Sequence, residues 1–408
     1  MANTVLTPTM VTNDAVIVLE NNLTIAKFID RSYEPQFGRE GEKVGSTIQV
    51  RKPPRFVGRL GPALTVEDEY ESSVPLTLTT QYGVDIQFTS TEMALQIQDF
   101  RERILVPIMA TIANRIDRDC CGLWSSVWNQ VGTSGVTPAS QQVVLLAGQK
   151  LNEMAAPIDD NRAAVLGPAA NAGIVNGLVG LFNPMGKISD NYDTGNMGNA
   201  LGFKFSLDQN IQSVTYGILG GAPAVNGSNQ SLTSGWAASM NLVTNGWTAA
   251  AAQRLIGGET FTLAGVFAVN PQSRVSTGSL QQFVVNGPQS SDSSGNMTLN
   301  ISPAIISAGP FQNVNSVPVS GTATLTFGAA ANAVNPQNLA FHKNAFTLAM
   351  ADLPLPEGVD FARRAEYRGF RIRVVRAYDI NGDRLPLRTD VLYGTKAVLP
   401  EIAVRITG

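Results

Sequence analysis

The stretch Thr89–Val127, TSTEMALQIQDFRERILVPIMATIANRIDRDCCGLWSSV, carries the most regular pattern in the chain. Met93, Ile97, Phe100, Ile104, Ile108, Ile112, Ile116, Cys120, Leu123 and Val127 recur at steps of three and four, laying one apolar stripe along a helix. The hydroxyls of Thr89, Ser90 and Thr91 with Glu92 form a start signal, a cap followed by an acid near the first turn. Pro107 is expected to bend the helix, because it removes a backbone donor and clashes with the preceding turn. Arg101, Arg103, Arg115 and Arg118 lie off the stripe. A helix of this length with one narrow buried face reads as the spine of a domain.

Upstream, Ser46–Arg51 and Pro75–Tyr82 alternate as strands. Between them lie Pro53-Pro54, Gly58, Gly61-Pro62 and then Glu67, Asp68, Glu69, Tyr70 and Glu71, a composition that builds little core. The pattern predicts a long projecting hairpin. An isolated hairpin is marginal in water, so it needs a neighbour to lie on. Downstream, Val143–Met154 reads as a helix, Ala163–Leu166 as a strand, Ala170–Leu181 as a helix and Lys187–Asn199 as a loop. Strands return at Phe370–Tyr378, Lys396–Leu399 and Ile402–Ile406, with a hairpin signal at Asn381-Gly382.

The middle of the chain changes character. From Gln209 to Asn338 only four side chains are charged: Arg254, Glu259, Arg274 and Asp292. Short alternating runs such as Glu259–Val269, Gln282–Val285, Met297–Ile301 and Ala323–Phe327 lie among Gly, Pro and Asn, which predicts a β-rich module inserted into a mixed host. Gly220–Pro223 and Val334–Pro336 are its expected junctions.

Composition narrows the function. The chain has 408 residues, net charge −3, 44% hydrophobic and 15% charged residues, two cysteines and one histidine. That length makes roughly two to three compact units. A near-neutral balance leaves no electrostatic footprint for tight nucleic-acid binding. One histidine excludes the two- and three-histidine zinc sites, and the adjacent Cys120 and Cys121 make neither a disulfide framework nor a metal knuckle. Met1–Met10 does not read as a secretory leader. The uncharged Ala163–Phe182 is broken by Gly167-Pro168, Asn171, Gly173, Asn176, Gly177 and Gly180 into a strand, turn and helix rather than a membrane span.

Motifs for chemistry are missing. There is no phosphate loop; Gly177–Gly180 and Gly195–Gly198 lack the lysine and the strand–loop–helix context. Asp190 and Asp193 lack the spacing and terminal glutamate of a calcium loop. His342 has no nucleophile beside it, and Asp159-Asp160 reads as a solvated turn. An enzyme, or a carbohydrate-binding protein with a β module, would need convergent acids or aromatics there; the module holds Trp236 and Trp247 and almost no acids. No catalytic, cofactor or metal residue is assigned.

Local charge is more informative. Arg31, Arg39, Lys43, Arg51, Lys52, Arg55 and Arg59 face three acids over Arg31–Arg59, and Glu67, Asp68, Glu69 and Glu71 follow. This is either an ordinary solvated hairpin or a limb that lies on a neighbouring copy. For the second reading Arg51, Lys52, Arg55, Arg59, Glu67, Asp68, Glu69 and Glu71 are the intersubunit contact candidates. Single surface pairs are worth about 0–1 kcal/mol, but a repeated contact sums many and sets register. A second basic run, Arg363, Arg364, Arg368, Arg371, Arg373 and Arg376 around Glu366, fits equally a nucleic-acid face or pairing with carboxylates of neighbouring strands.

The order of arm, projecting loop, spine helix, α/β part, inserted β module and returning β segment resembles the major capsid proteins of tailed bacteriophages, the P22 coat protein-like group in particular. The likeness is carried by Asn13–Glu20 through Tyr33-Glu34-Pro35, Thr91–Trp128, Gly195–Phe203, Ile256–Val266 and Arg371–Asp379. It implies an α+β, HK97-type capsid fold with an N-terminal arm (1–32), an E-loop with flanking peripheral-domain strands (33–82) and a spine helix (83–135). An axial domain (136–220), an inserted β-barrel-like domain (221–336) and an axial and peripheral return (337–408) would follow. It also implies pentamers and hexamers of an icosahedral shell around packaged double-stranded DNA, assembled in the bacterial host cytoplasm with a separate scaffolding protein and a portal. A bacterial nanocompartment shell of the same fold is the structural alternative. With the spine starting near residue 90, no built-in cleaved scaffold is expected. A near-neutral wall suits dense DNA that must not adhere to it. In the arm, Val16, Leu19, Leu23 and Ile25 suit a docking helix, and Asp14 is the scaffolding contact candidate, or else a plain helix acid.

Overall fold

A computed structural model describes residues 8–37, 43–64, 66–67, 69–89, 104–178, 197–233, 235–380, 382 and 384–408. The first half of the spine stripe, Arg39, Asp68, most of the 187–199 loop, and Asn381 and Asp383 lie outside the described residues. The chain is mixed α+β and divides into two units, each discontinuous in sequence.

The first unit comprises 1–50, 73–120 and 346–398. Helix α1 (Pro8–Asn22) buries Ala15, Val16 and Leu19, and packs on the strands Phe361–Tyr367 and Phe370–Arg376. Leu23 and Ile25 are buried just beyond it, completing the apolar set expected of the arm. Helix α2 (Val106–Cys121) is the described part of the spine, and Ile108, Ile112, Ile116 and Cys120 are all buried as the stripe requires. Asp117, on the same helix, is buried because its carboxylate accepts the backbone N–H groups of Thr24 and Ala26 at 2.7 and 3.1 Å, anchoring the chain after α1.

The α-helical turns begin at Val106, directly after a wider π turn at Ile104-Leu105, so Pro107 stands where the helical geometry changes. At the other end one expectation is corrected: the helix tightens into a 3₁₀ turn, Gly122–Ser126, instead of running on to Trp128. A second correction concerns Pro75–Tyr82, which is two strands, Ser73–Thr77 and Thr80–Thr89. Residues 83–89 therefore belong to a sheet and not to the spine. The reason is a long-range partner: Thr80–Thr89 pairs antiparallel with Arg384–Tyr393 along its whole length. That fourteen-residue strand, Arg384–Ala397, also pairs with Phe370–Arg376 and with the wholly buried Phe346–Ala351.

The second unit comprises 51–72, 121–345 and 399–408. A mixed sheet has the order Gln130–Val131, Ala403–Ile406, Asn338–His342, Arg162–Leu166, Phe203–Leu207, Asn199–Ala200. Of its four inner strands, Ala403–Ile406, Asn338–His342 and Arg162–Leu166 are buried at every position, as strands covered on both faces must be. Helix α3 (Gln141–Glu153) packs on Ala403–Ile406, and α4 (Pro168–Leu178) follows the strand Arg162–Leu166.

The middle of the chain forms a six-stranded, fully antiparallel sheet. Its order is Leu325–Phe327, Thr260–Val269, Ser276–Val285, Met297–Ser302, Met240–Trp247, Gly221–Val225. The two outer strands meet: Ala224 bridges Thr324, Val225 N–H donates to Ala323 O at 3.0 Å, and Gly321 N–H donates to Val225 O at 2.8 Å. Inside lie Leu242, Phe261, Leu263, Phe283, Leu299 and Ile301, with Phe261 stacked on Phe283 at 5.6 Å between centroids. Ser213–Thr215, upstream of the expected Gly220–Pro223 junction, pairs antiparallel with Val334–Pro336.

A buried polar joint ties this sheet to the mixed one. Arg405, wholly buried, donates to Gly258 O at 2.7 Å and Gln337 Oε1 at 3.3 Å and lies over the Trp124 ring at 4.9 Å. Burial pushes its pKa down to about 10, against the pull of Tyr216 and Glu259. Glu259 accepts the N–H groups of Gly217, Ile256 and Gly257 at 3.1, 2.7 and 2.7 Å. Gly258 has φ +87°, and a Cβ there would sit 2.6 Å from the Trp124 ring, so no larger residue fits.

Candidate intersubunit surface

The candidate surface begins where the paired strands Thr47–Arg51 and Ser73–Thr77 end. Lys52 N–H still donates to Ser72 O at 2.8 Å, and beyond that the described residues of the loop form no strand. Pro53, Pro54 and Pro62 lack the donors a ladder needs, so side chains take over the satisfaction of the backbone. Glu67 accepts the N–H groups of Val57 and Gly58, both at 2.7 Å, which folds the loop back on itself.

The charged candidates divide by partner. Arg51 pairs with Glu71 across the hairpin at 3.2 Å, both well exposed. Lys52 lies 4.5 Å above the Trp236 ring, and burial lowers its pKa against the opposing effect of Glu401. Arg55 makes an ion pair with Glu401 and sits over the Phe311 ring. Arg59 donates to Gly61 O. Glu69 is exposed, and Asp68 lies outside the described residues. Basic limb and acids therefore meet partly within the hairpin itself.

What the charge pattern missed is apolar. Phe56, Val57, Leu60, Leu64, Val66 and Tyr70 are all exposed, Leu60 entirely and Leu64 and Val66 to 83% and 80%. Six large apolar side chains left exposed within fifteen residues of one loop are a load that water disfavours. The signal was in the sequence, as apolar residues spaced among prolines and glycines with no period to bury them.

Asp14, the other candidate, is half-buried on α1. The arm as a whole is tied down close by. Glu20 pairs with Arg368 at 3.3 Å, Arg31 lies 4.1 Å over the Phe370 ring, and Glu34 is buried beside Arg31 and Arg371. Burial raises the Glu34 pKa to about 7, with Arg31 and Arg371 opposing the rise.

The second basic run resolves to carboxylates and carbonyls of its own chain. Arg364 donates to Leu353 O at 2.7 Å. Arg371 lies 3.4 Å from Glu366 and 3.8 Å from Asp352, Arg373 forms a two-pronged pair with Asp390, and Arg376 reaches Asp360 at 2.6 Å. Of the two readings open in the sequence, internal pairing is the one present. His342 is likewise structural, its Nε2 3.2 Å from Asp159 and its Nδ1 accepting the Asn344 N–H. Trp247 is buried, with Nε1–H donating to Thr244, so it offers no sugar-stacking face. Among the described residues no group of three His, Cys, Asp or Glu is placed to hold a metal ion, and no helix is long and apolar enough to cross a membrane.

A family model described as P22 coat protein, gene protein 5, matches residues 1–408. The chain is similar to the capsid of Ralstonia phage GP4, at 8% identity over 95% of this chain and 92% of that one, with a TM-score of 0.44. It is also similar to a structure from Mycobacterium phage Che8, at 9% identity over 94% and 90%, TM-score 0.43. The CUS-3 coat protein I-domain matches at 24% identity over 28% of this chain and 97% of its own, TM-score 0.17. No curated protein matches.

Proposed function

Because the chain belongs to the P22 coat protein family, and is therefore a structural capsid protein of the phage virion and not an enzyme, we propose how it builds its shell. The subunit has an HK97-type organisation: an arm, an E-loop spanning 52–72, a spine containing α2, an axial part and a barrel-like insertion at 221–336. The bridged outer strands of the six-stranded sheet support the barrel reading, and the pairing of Ser213–Thr215 with Val334–Pro336 supports the insertion. Copies associate as pentamers and hexamers of an icosahedral shell, formed in the bacterial host cytoplasm with a scaffolding protein and a portal, around double-stranded DNA held without sequence preference.

One observation carries the self-assembly reading: the apolar tip of the loop. Leu60, Leu64 and Val66 are left in water by their own chain, and burying them on a second copy would return about 25 cal/mol per Å² of apolar surface. A contact of that kind, repeated at every subunit, closes a shell if the geometry has rotational symmetry. Arg51, Lys52, Arg55, Arg59, Glu67, Asp68, Glu69 and Glu71 flank it as the register-setting rim, and Asp14 is kept as the scaffolding contact. Negative-stain microscopy of the expressed protein, alone and with the neighbouring phage genes, tests the proposal. Hollow particles of uniform size support it; a protein that stays monomeric under every co-expression refutes it.

A further inference from the structure

The 52–72 loop has two differently treated ends. Its tip is bare, yet its root is gripped by side chains of the six-stranded module. Arg274, at the hairpin tip between Thr260–Val269 and Ser276–Val285, donates to Phe56 O at 2.5 Å and to Val57 O at 3.4 Å. Glu67 holds the Val57 and Gly58 amides at the same place, so Val57 is fixed through both its carbonyl and its N–H. Tyr70 meets Phe311 edge-on at 5.8 Å between centroids, Arg55 lies over the same Phe311 ring at 5.7 Å, and Lys52 covers Trp236 at 4.5 Å. Phe311 and Trp236 belong to a small apolar cluster with Ala304 and Ile306, separate from the module's main core.

From this we propose that the β module is a brace for the loop of its own chain. Trp236, Arg274 and Phe311 order the loop root before assembly, so that Leu60, Leu64 and Val66 are presented to a second copy in a fixed position. The physical need is entropic. Ordering a flexible segment costs about 1–2 kcal/mol per residue, and a loop ordered only on contact charges that cost to every subunit interface. A loop already held at its root loses far less on docking. The grip uses cation–carbonyl, cation–ring and edge-on aromatic contacts and leaves the three aliphatic tip residues untouched. A contact meant to hide the loop would have covered the tip first. The bracing stands on contacts within one chain; only the identity of the tip's partner rests on the shell reading above.

The test uses the full-length subunit at a concentration below assembly. Hydrogen exchange of peptides covering 52–72 is compared in the wild type, Arg274→Ala and Phe311→Ala, with peptides over Phe261 and Phe283 reporting that the module is folded. Arg274 is half-buried at the hairpin tip and belongs to neither apolar cluster of the module, so its variant guards against misfolding of Phe311→Ala. The brace predicts roughly tenfold faster exchange of the loop, the factor given by about 1.4 kcal/mol of lost contact. It also predicts a several-fold higher critical concentration for particle formation by light scattering. Leu60→Ser with Leu64→Ser should raise the critical concentration while leaving loop exchange in the free subunit unchanged. Unchanged loop exchange in both brace variants overturns the proposal, as does a loosened loop that assembles as well as or better than the wild type. A wild type that never forms particles would refute the shell reading, and the exchange comparison would still decide the brace.

Discussion

Arg373→Gln should destabilise the first unit far more than loss of a surface arginine would. Arg373 Nε and Nη2 donate to Asp390 Oδ1 and Oδ2 at 3.1 and 2.6 Å, and Nη1 donates to Pro354 O at 2.6 Å. Asp390 is only 3% exposed, and its other side-chain partner is Gln81 Nε2–H at 2.8 Å. Glutamine cannot supply the fork, so a buried carboxylate would be left with one neutral donor. Breaking a buried pair from one side costs about 3–5 kcal/mol, against about 0–1 kcal/mol for an exposed pair. With a urea m-value of about 2–3 kcal/mol/M, the midpoint of the transition falls by about 1–2.5 M. Urea titration read by hydrogen exchange of peptides in Arg384–Ala397 isolates this unit. A double-mutant cycle with Asp390→Asn should give a coupling of at least about 1.5 kcal/mol. A loss below about 1 kcal/mol with no coupling would mean that the arginine is free to face another partner, and would reopen the nucleic-acid reading of the basic run.

Three further outcomes are expected. Glu34 binds its proton more tightly in the folded chain, with a pKa of about 7, than in the unfolded one, so the stability it contributes is full below about pH 4 and lost as pH rises to 7. Glu34→Gln should therefore flatten the fall in Tm between about pH 4 and 7, and parallel profiles for the two proteins would contradict this. Arg51→Glu with Arg55→Glu removes the pairs to Glu71 and Glu401; a folded, soluble subunit that sediments without particles is the expectation, and normal particles would remove the charged rim from the mechanism. Phe261→Ala empties a fully buried site stacked on Phe283 and should cost about 3–5 kcal/mol, read as accelerated exchange confined to the module strands. Equal acceleration in Arg384–Ala397 would show that the module does not unfold independently.

The regular elements were legible wherever a pattern is local. The three-and-four stripe of Ile108, Ile112, Ile116 and Cys120 needed no partner to be read, and each of these residues is buried. The alternation in Glu259–Val269 and Met297–Ile301 predicted strands that are present. Boundaries failed where a distant segment decides. Residues 83–89 look like a preamble to the spine until Arg384–Tyr393 arrives to pair with Thr80–Thr89. Of the candidate surface, the sequence exposed the hairpin and its charges. It could not say that Arg55 would meet Glu401, or that Arg274 would hold the Phe56 carbonyl.

Sequence alone thus determined the kinds of element, the β-rich middle of the chain and the want of catalytic motifs, because helical and strand periods and residue inventories are properties of neighbours along the chain. Tertiary structure alone decided which arginines are spent on internal carboxylates, which acids are buried and which apolar side chains remain in water. Those outcomes depend on groups as near in sequence as Arg376 and Asp360, 16 positions apart, or as far as Arg55 and Glu401, 346 apart, being brought within hydrogen-bond reach, which no local period encodes.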